Sequence, residues 1–211
     1  MDIRALDRRA LAGTGRIVAQ VDAVRLAAPT PCAEWDLRAL LVHMAGNNNG
    51  FARAAAGHPA EEAVWRGDGL DGDPVAAYQE SAQRVEAAFA ADGVLDRSLA
   101  VYGFGTFPAN TAIGMHFIDY LVHGWDVARA IGVEPDLEPE LCDAVLKIGA
   151  GWPKGSPAIW GPGAPFGHPV PVRNDAPVAE RMLGFLGRSA SPSDQEGGDW
   201  MRGVGDGSER E

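Results

Sequence analysis

One helical segment, from about residue 110 to residue 131, constrains the fold of this 211-residue chain most strongly. Its interior is mostly apolar, and it is followed by Gly132 and Pro135, which are typical helix stop signals. Within it, Asp119 and His123 lie four residues apart and therefore share one helical face, about one turn apart. A buried carboxylate is costly unless it is paired or binds a metal. The segment therefore predicts a buried helix that carries either a hydrogen-bonded Asp–His pair or a metal site.

Further helices follow from the spacing of apolar residues and from helix signals. Asp36 and Asp73 stand where a side chain can cap a first helical turn, and Pro74 suits the first helical position. The segment 94–108 lacks a helical period and is expected to be an extended excursion or a loop. Helices are expected at about residues 2–28, 36–56, 73–93, 110–131, 139–151 and 175–186.

This pattern predicts an all-α protein whose residues 1–135 form a four-helix bundle. Residues 136–188 are expected to form a short, irregular C-terminal extension packed on the bundle. This extension would hold a helix, a Gly/Pro-rich loop packed by its own aromatic residues, and a closing helix. The polar, glycine-rich tail at 189–211 is predicted to be disordered. Bundles of this kind place metal and cofactor sites in their cores, between facing helices.

Charge and composition exclude several classes of partner. The net charge is −11 and no basic patch is evident, so neither a nucleic acid nor a membrane surface is an expected partner. Cys32 and Cys142 are too few for a disulfide framework. The N-terminus has no signal-peptide pattern, and no apolar run approaches the roughly 18–20 residues of a membrane span. A soluble, cytoplasmic protein is expected.

His43 lies in the middle of the second helical segment, among Leu40, Leu41 and other apolar residues. Together with Asp119 and His123 it offers three protein ligands, which is typical of a catalytic metal site with one open position. The same three residues are also consistent with hydrogen-bonded partners in a core without metal. The residues alone leave both interpretations open.

His116 is a candidate proton shuttle. It precedes His123 by seven residues, roughly 10.5 Å along a helix axis, so one ion can hardly reach both. It is either a neighbouring general base or a polar rim residue. Asp126 either orients a ligand imidazole or pairs with Arg129. Cys32 either has a lowered pKa near a helix N-terminus or packs as a buried residue.

Two segments carry a resemblance to a known family. PTPCAEWDLRALLVHMAG (29–46) and DYLVHGWDVARAIG (119–132) resemble the signature segments of the DinB-like superfamily. Within it they are most similar to the N-terminal domain of mycothiol-dependent maleylpyruvate isomerase and to related actinobacterial metal-binding proteins. The resemblance covers about residues 1–135, with a weaker match at 175–188 (DAPVAERMLGFLGR). The chain departs from the isomerase in two respects: it has Asp119 in place of glutamate, and Gly/Pro-rich sequence with one short helix stands where the isomerase has a second, mixed α/β domain.

The resemblance implies a DinB-like four-helix bundle with one divalent ion, usually zinc, held by His43, Asp119 and His123. Nickel, manganese and iron stay open as alternatives. It also implies a low-molecular-weight thiol, mycothiol, as co-substrate, and a zinc-dependent thiol transferase or isomerase acting on a small electrophile. In that reaction His116 is the candidate for moving a proton. The alternatives are a metal-dependent hydrolase and a non-catalytic metal-binding or ligand-binding protein of stress or regulation. Homodimer formation is left open.

Overall fold

The computed structural model describes residues 2–32 and 35–190. Within these residues the chain is mostly helical, as the sequence predicted, and the single sheet is a two-stranded hairpin. The elements, in chain order, are α1 (Ile3–Val18), α2 (Leu37–Ala55), α3 (Glu62–Arg66), α4 (Pro74–Ala90), β1 (Ser98–Val101), β2 (Gly105–Pro108), α5 (Ala109–Ile131), α6 (Pro139–Gly149) and α7 (Val178–Phe185).

The chain divides into two compact units, Met1–Trp152 and Pro153–Glu211. The first unit holds the helices α1 to α6 and the hairpin, and the second holds α7. The domain limits expected at residues 135 and 188, and the packing of the extension on the bundle, stay predictions. The predicted disorder of 189–211 falls, from residue 191 onward, outside the described residues.

The predicted helix starts are confirmed at the two capping aspartates. The Asp36 side chain accepts a hydrogen bond from the backbone N–H of Ala39 at 2.8 Å, and α2 begins at the next residue. Asp73 accepts from the N–H of Val75 at 2.9 Å, and α4 begins at Pro74. Each carboxylate satisfies an amide that the first helical turn leaves without a partner.

The first helix is shorter than the sequence predicted, because α1 ends at Val18 and not near residue 28. The chain turns after Val18 and then forms one 3₁₀ turn, in which the Asp22 side chain accepts from the N–H of Val24. The position of Val24 in the sequence continues the apolar spacing of α1. Its side chain is nevertheless 80% exposed and contributes nothing to the core. The capping side chain at residue 22 therefore outweighs the apolar spacing.

Most of the segment 94–108 is extended as expected: after a 3₁₀ turn at Val94–Asp96 it forms an antiparallel hairpin in which Leu99 pairs with Phe107. The short helix α3 was not predicted. It crosses α2 at Gly46 and Gly50, where a Cβ on Gly46 would stand 2.5 Å from the carbonyl oxygen of Trp65. A Cβ on Gly50 would overlap the indole ring of Trp65. Glycine lowers helix propensity, but here its missing Cβ lets α3 approach α2.

Four helices of the first unit, α1, α2, α4 and α5, form the bundle. α1 packs chiefly on α5, and α2 packs chiefly on α4. α5 is buried along most of its length, as its apolar sequence predicted. Large apolar side chains fill the space between the helices, and these include Leu11, Leu40, Leu41, Met44, Val85, Phe89, Ile113, Phe117 and Leu121.

The second unit is organised around aromatic side chains. The ring of Trp160 lies 6.0 Å from that of Phe166 and 5.1 Å from that of Phe185 in α7, measured between centroids. The backbone N–H of Val170 donates to the carbonyl of Gly184, which ties the loop to α7. Within the described residues, the Gly/Pro-rich loop therefore packs on its own aromatic side chains.

Candidate metal centre

The bundle brings together the three residues that were predicted from the sequence as candidate metal ligands. His43 comes from α2, while Asp119 and His123 come from successive turns of α5. One ligand atom from each lies within 4.8 Å of the other two. The Nε2 atom of His123 is 3.3 Å from the Oδ1 atom of Asp119. Two imidazoles and one carboxylate therefore converge on one point between the two helices.

The surroundings of the cluster differ from side to side. The His123 side chain is 6% exposed, whereas the Asp119 side chain is 22% exposed. The indole of Trp35 lies 4.4 Å from the His43 ring and 6.2 Å from the His123 ring, between centroids. Trp35, which precedes the helix cap at Asp36, was not predicted to belong to the site. The cluster is thus covered by an aromatic ring on one side and reachable past Asp119.

The protonation states of His43 and Asp119 suit metal binding. Burial, helped by the positive charge of His123, lowers the pKa of His43 to about 4, although Asp119 opposes the shift. His43 is therefore neutral near pH 7, with a nitrogen lone pair available. Burial raises the pKa of Asp119, but the charge and hydrogen bond of His123 outweigh it and hold that pKa below its usual range. Asp119 is therefore a carboxylate.

His123 lies between two carboxylates, and this raises its pKa. Burial lowers the pKa of His123, but the charge of Asp119 and the hydrogen bonds that His123 donates to Asp119 and Asp126 outweigh it, so the pKa is well above its ordinary value. A proton on Nε2 and a cation on Nε2 exclude each other, because both need the same lone pair. Cation binding to this residue therefore releases a proton.

A buried polar chain supports His123 from behind. The Nδ1 atom of His123 donates to the Oδ2 atom of Asp126 at 2.9 Å, and Asp126 is fully buried. The Sγ atom of Cys32 donates to the same oxygen at 3.2 Å. Arg129 instead lies over the Trp125 ring, 5.9 Å from its centroid. Asp126 therefore orients the imidazole so that Nε2 faces Asp119 and His43.

Asn47 also belongs to the cluster, although it was not predicted from the sequence. Its Nδ2 atom lies 3.2 Å from the Nε2 atom of His43 and 3.2 Å from the Oδ2 atom of Asp119. Asn47 follows His43 by one helical turn, so the spacing alone places both side chains on one face of α2. An asparagine at that spacing is too common in helices to indicate a site.

His116 lies in a separate polar network inside the bundle. It is fully buried, with Nδ1 2.6 Å from the Oδ1 atom of Asp7 and Nε2 3.0 Å from the Oδ1 atom of Asn48. Its ring stacks on Tyr120 at 4.0 Å between centroids. Both ring nitrogens thus face partners other than the three candidate ligands. A proton-shuttle role for His116 stays a prediction.

The fold and the cluster together define a helical-bundle protein with a candidate metal centre. Residues 8–128 match the mycothiol maleylpyruvate isomerase N-terminal domain family, and the chain belongs to this family. The family that the two sequence motifs indicated is thereby confirmed. Among the described residues, no helix is long and apolar enough to cross a membrane.

Relatives and solved structures are consistent with this membership. Two uncharacterized proteins from Mycobacterium tuberculosis strains are each 36% identical over 189 residues, covering 90% of this chain and 99% of the relative. The crystal structure of the mycothiol-dependent maleylpyruvate isomerase superposes with a TM-score of 0.54 at 18% identity. A mutant form of that isomerase superposes with a TM-score of 0.56 at 16% identity. Both matches cover 68% of this chain and 66% of the isomerase chain. At such identities the structures show a shared fold.

Proposed function

We propose that this protein binds one divalent cation through His43, Asp119 and His123, and that the cation activates a low-molecular-weight thiol. The observation that carries the proposal is the convergence of three ligand atoms within 4.8 Å of one another. The donor set fits the group, because two neutral imidazoles and one carboxylate suit zinc and leave a coordination position open. Iron, nickel and manganese accept the same donors, so zinc is our first choice and not a unique one.

A bound cation of this kind supplies the Lewis acidity that converts a thiol to the nucleophilic thiolate. The residues of the chain have separate tasks around it. His43 is available as a neutral ligand, and the carboxylate of Asp119 offsets one positive charge. Asp126 holds the His123 ring in place, and Trp35 shields one side of the cluster from water. The open side, past Asp119, is where a thiol and a second substrate can enter.

We propose mycothiol as the thiol and a small electrophilic molecule as the acceptor, because the isomerases that this chain resembles depend on mycothiol. The reaction is then an S-transfer or an isomerisation. Addition of the thiolate to an electrophilic double bond forms a C–S bond, and reversal after rotation about the former double bond yields the isomer. His116 is proposed to move the accompanying proton. A cytoplasmic location and a homodimer are compatible with this function and stay predictions.

The first test is elemental analysis of tag-free protein, with an Asp119→Ala/His123→Ala double variant beside it. We expect about one zinc per chain in the wild type, as a three-ligand site with one open position implies, and essentially none in the double variant. Wild-type protein that stays metal-free after reconstitution with zinc, nickel, manganese and iron would make the three residues a hydrogen-bonded core cluster. It would also remove the thiol mechanism.

The isomerase structures leave room for a different activity, because the match covers 66% of the isomerase chain. Metal-loaded protein should therefore be screened for thiol transfer to electrophilic acceptors and for ester and amide hydrolysis. Transfer to an acceptor supports our proposal. Hydrolysis without a thiol would indicate a metal-dependent hydrolase, and a metal without turnover would indicate a metal-binding or ligand-binding protein.

Asp126 gives a prediction about metal affinity. We expect Asp126→Ala to weaken zinc binding about 10-fold to 100-fold, because outer-shell partners of a ligand imidazole typically contribute that much. The affinity is measured by competition with a chromogenic chelator. Asp136→Ala removes the same charge from a surface pair with Arg16 and is the matched control. Equal zinc affinity in the two variants would contradict the role of Asp126.

A further inference from the structure

Three consecutive asparagines in α2, residues 47–49, have three different surroundings. Successive helix residues are rotated by about 100°, so neighbours in sequence face different sides. Asn48 is fully buried and donates to the Oγ atom of Ser81 at 3.0 Å. Asn49 accepts from the Arg84 guanidinium at 3.2 Å near the surface. Asn47 alone of the three faces the candidate metal centre.

The two carboxylate oxygens of Asp119 have different partners, and one of these is the amide nitrogen of Asn47. Oδ2 accepts from Asn47 at 3.2 Å, while Oδ1 lies 3.3 Å from the Nε2 atom of His123. One oxygen is thus held by the amide, and the other is presented to the point where the ligands converge. This arrangement favours a carboxylate that binds a cation through one oxygen.

The same amide nitrogen has a second hydrogen, which faces His43. In this structure it points to the Nε2 atom of His43 at 3.2 Å. A cation bound to that nitrogen uses its lone pair, so the hydrogen then loses its acceptor. It would stay inside the cluster, available to a further ligand of the cation. A hydrogen-bond donor fixed at that position favours a negatively charged ligand, because charge-assisted hydrogen bonds are the stronger ones.

We infer that Asn47 is a positioning residue that orients Asp119 for the cation and donates to an anionic sulfur or oxygen atom in the open position. This inference rests on the proposed function, since it needs the cation to be bound. The ligand class that Asn47 selects is an anion such as a thiolate, and not a neutral donor. A merely structural role for Asn47 predicts a change in stability without a change in ligand affinity at full metal occupancy.

The test uses the full-length protein loaded with cobalt(II), whose absorption spectrum reports both coordination and thiol binding. Cobalt affinity is measured by competition with a chelator, and 2-mercaptoethanol affinity is measured from the sulfur-to-cobalt charge-transfer band. For Asn47→Leu, a substitution of similar volume, we expect cobalt affinity to fall about 10-fold. We expect 2-mercaptoethanol affinity at full occupancy to fall about 10-fold as well. Asn49→Leu, two residues further along α2, is the matched control and should change neither.

Asn47→Asp supplies a second readout if the leucine variant folds poorly. It has the shape of asparagine but presents an acceptor to the open position. We expect its added negative charge to attract the cation and offset the lost donation to Asp119, so that cobalt affinity stays at or above the wild-type value. We expect 2-mercaptoethanol to bind at least about 10-fold more weakly, because two anions then face each other. Such a split between metal and thiol affinity cannot come from a loss of stability.

The outcomes separate the inference from the proposed function. Wild-type protein that binds no cobalt overturns both. Wild-type protein that binds cobalt and thiol, with both Asn47 variants indistinguishable from Asn49→Leu, overturns the role of Asn47 alone. A loss of cobalt affinity without any loss of thiol affinity overturns the proposed donation to the anionic ligand.

Discussion

Asp7→Ala is expected to lower the free energy of unfolding by about 1–3 kcal/mol, which is the usual cost of leaving a buried polar atom without its hydrogen-bond partner. Asp7 is 2% exposed, and its Oδ1 atom is 2.6 Å from the Nδ1 atom of the fully buried His116. Without the carboxylate, that nitrogen is left in the core without its hydrogen-bond partner.

The hydrogen-bond directions around His116 leave its ring little freedom to find a new partner when Asp7 is removed. The Oγ atom of Ser81 donates to the carbonyl of Tyr78 at 2.8 Å, so it accepts from the Nδ2 atom of Asn48. The Oδ1 atom of Asn48 therefore faces His116 and accepts from Nε2. A chain with fixed directions on one side cannot turn the imidazole to find a new partner.

Urea denaturation of the metal-free protein measures the effect of Asp7→Ala. The control is Asp136→Ala, which removes the exposed pair with Arg16 and should cost less than about 1 kcal/mol. A loss of under about 1 kcal/mol for Asp7→Ala as well would mean that the network is a minor contributor. A His116→Gln variant that keeps full thiol transfer after correction for stability would assign His116 to the core and end its candidacy as a proton shuttle.

Gly46→Ala is expected to destabilise the protein by about 2–3 kcal/mol, in the upper range for overpacking of a tight interior. The added methyl group would stand 2.5 Å from the carbonyl oxygen of Trp65 and 2.6 Å from the backbone nitrogen of Gly67. Both neighbours are backbone atoms, so α3 has to move as a unit. Helix propensity alone predicts the opposite sign, because alanine in a helix interior is favoured over glycine by about 1 kcal/mol.

Gly15→Ala in α1 is the matched control for this prediction. No atom lies within 4 Å of the position that its Cβ would take, so only the propensity gain of about 0.5–1 kcal/mol should appear. Thermal unfolding of both variants should therefore show shifts of opposite sign. A Gly46→Ala variant as stable as Gly15→Ala would mean that α3 moves aside at little cost and does not fix the geometry of α2.

The sequence predicted the features that depend on local spacing. Asp36 and Asp73 cap helices as expected, because a cap is defined within a few residues. Asp119 and His123 fall on one face of α5 for the same reason. That His43 from another helix joins them was a hypothesis that the residue types raised and that the resemblance also implied, and the distances between ligand atoms are consistent with it. Spacing along a chain cannot by itself bring two helices together.

Features that depend on contacts between helices could not be predicted from the sequence. The asparagine side chain at residue 47 does not by itself indicate a functional site. Its role is visible only once the fold places the carboxylate of Asp119 opposite it. No role was predicted for the polar residues Asp7 and Asn48, and only the assembled bundle buries them around His116. The early end of α1 at Val18 shows the converse, since a local cap at Asp22 overrode an apolar spacing that continued past it.

The packing of α1 on α5 and of α2 on α4 makes the bundle two helix pairs that meet along a seam. Side chains cross from α5 to α2 at this seam through hydrogen bonds from His116 to Asn48 and from Tyr120 to the Met44 carbonyl. Apolar surfaces tolerate sliding, but these directional bonds do not. A displacement of one pair by a single helical turn would break both at once and separate His43 from Asp119. Correct alignment of the two helix pairs and assembly of the candidate metal centre therefore depend on the same hydrogen bonds and occur together.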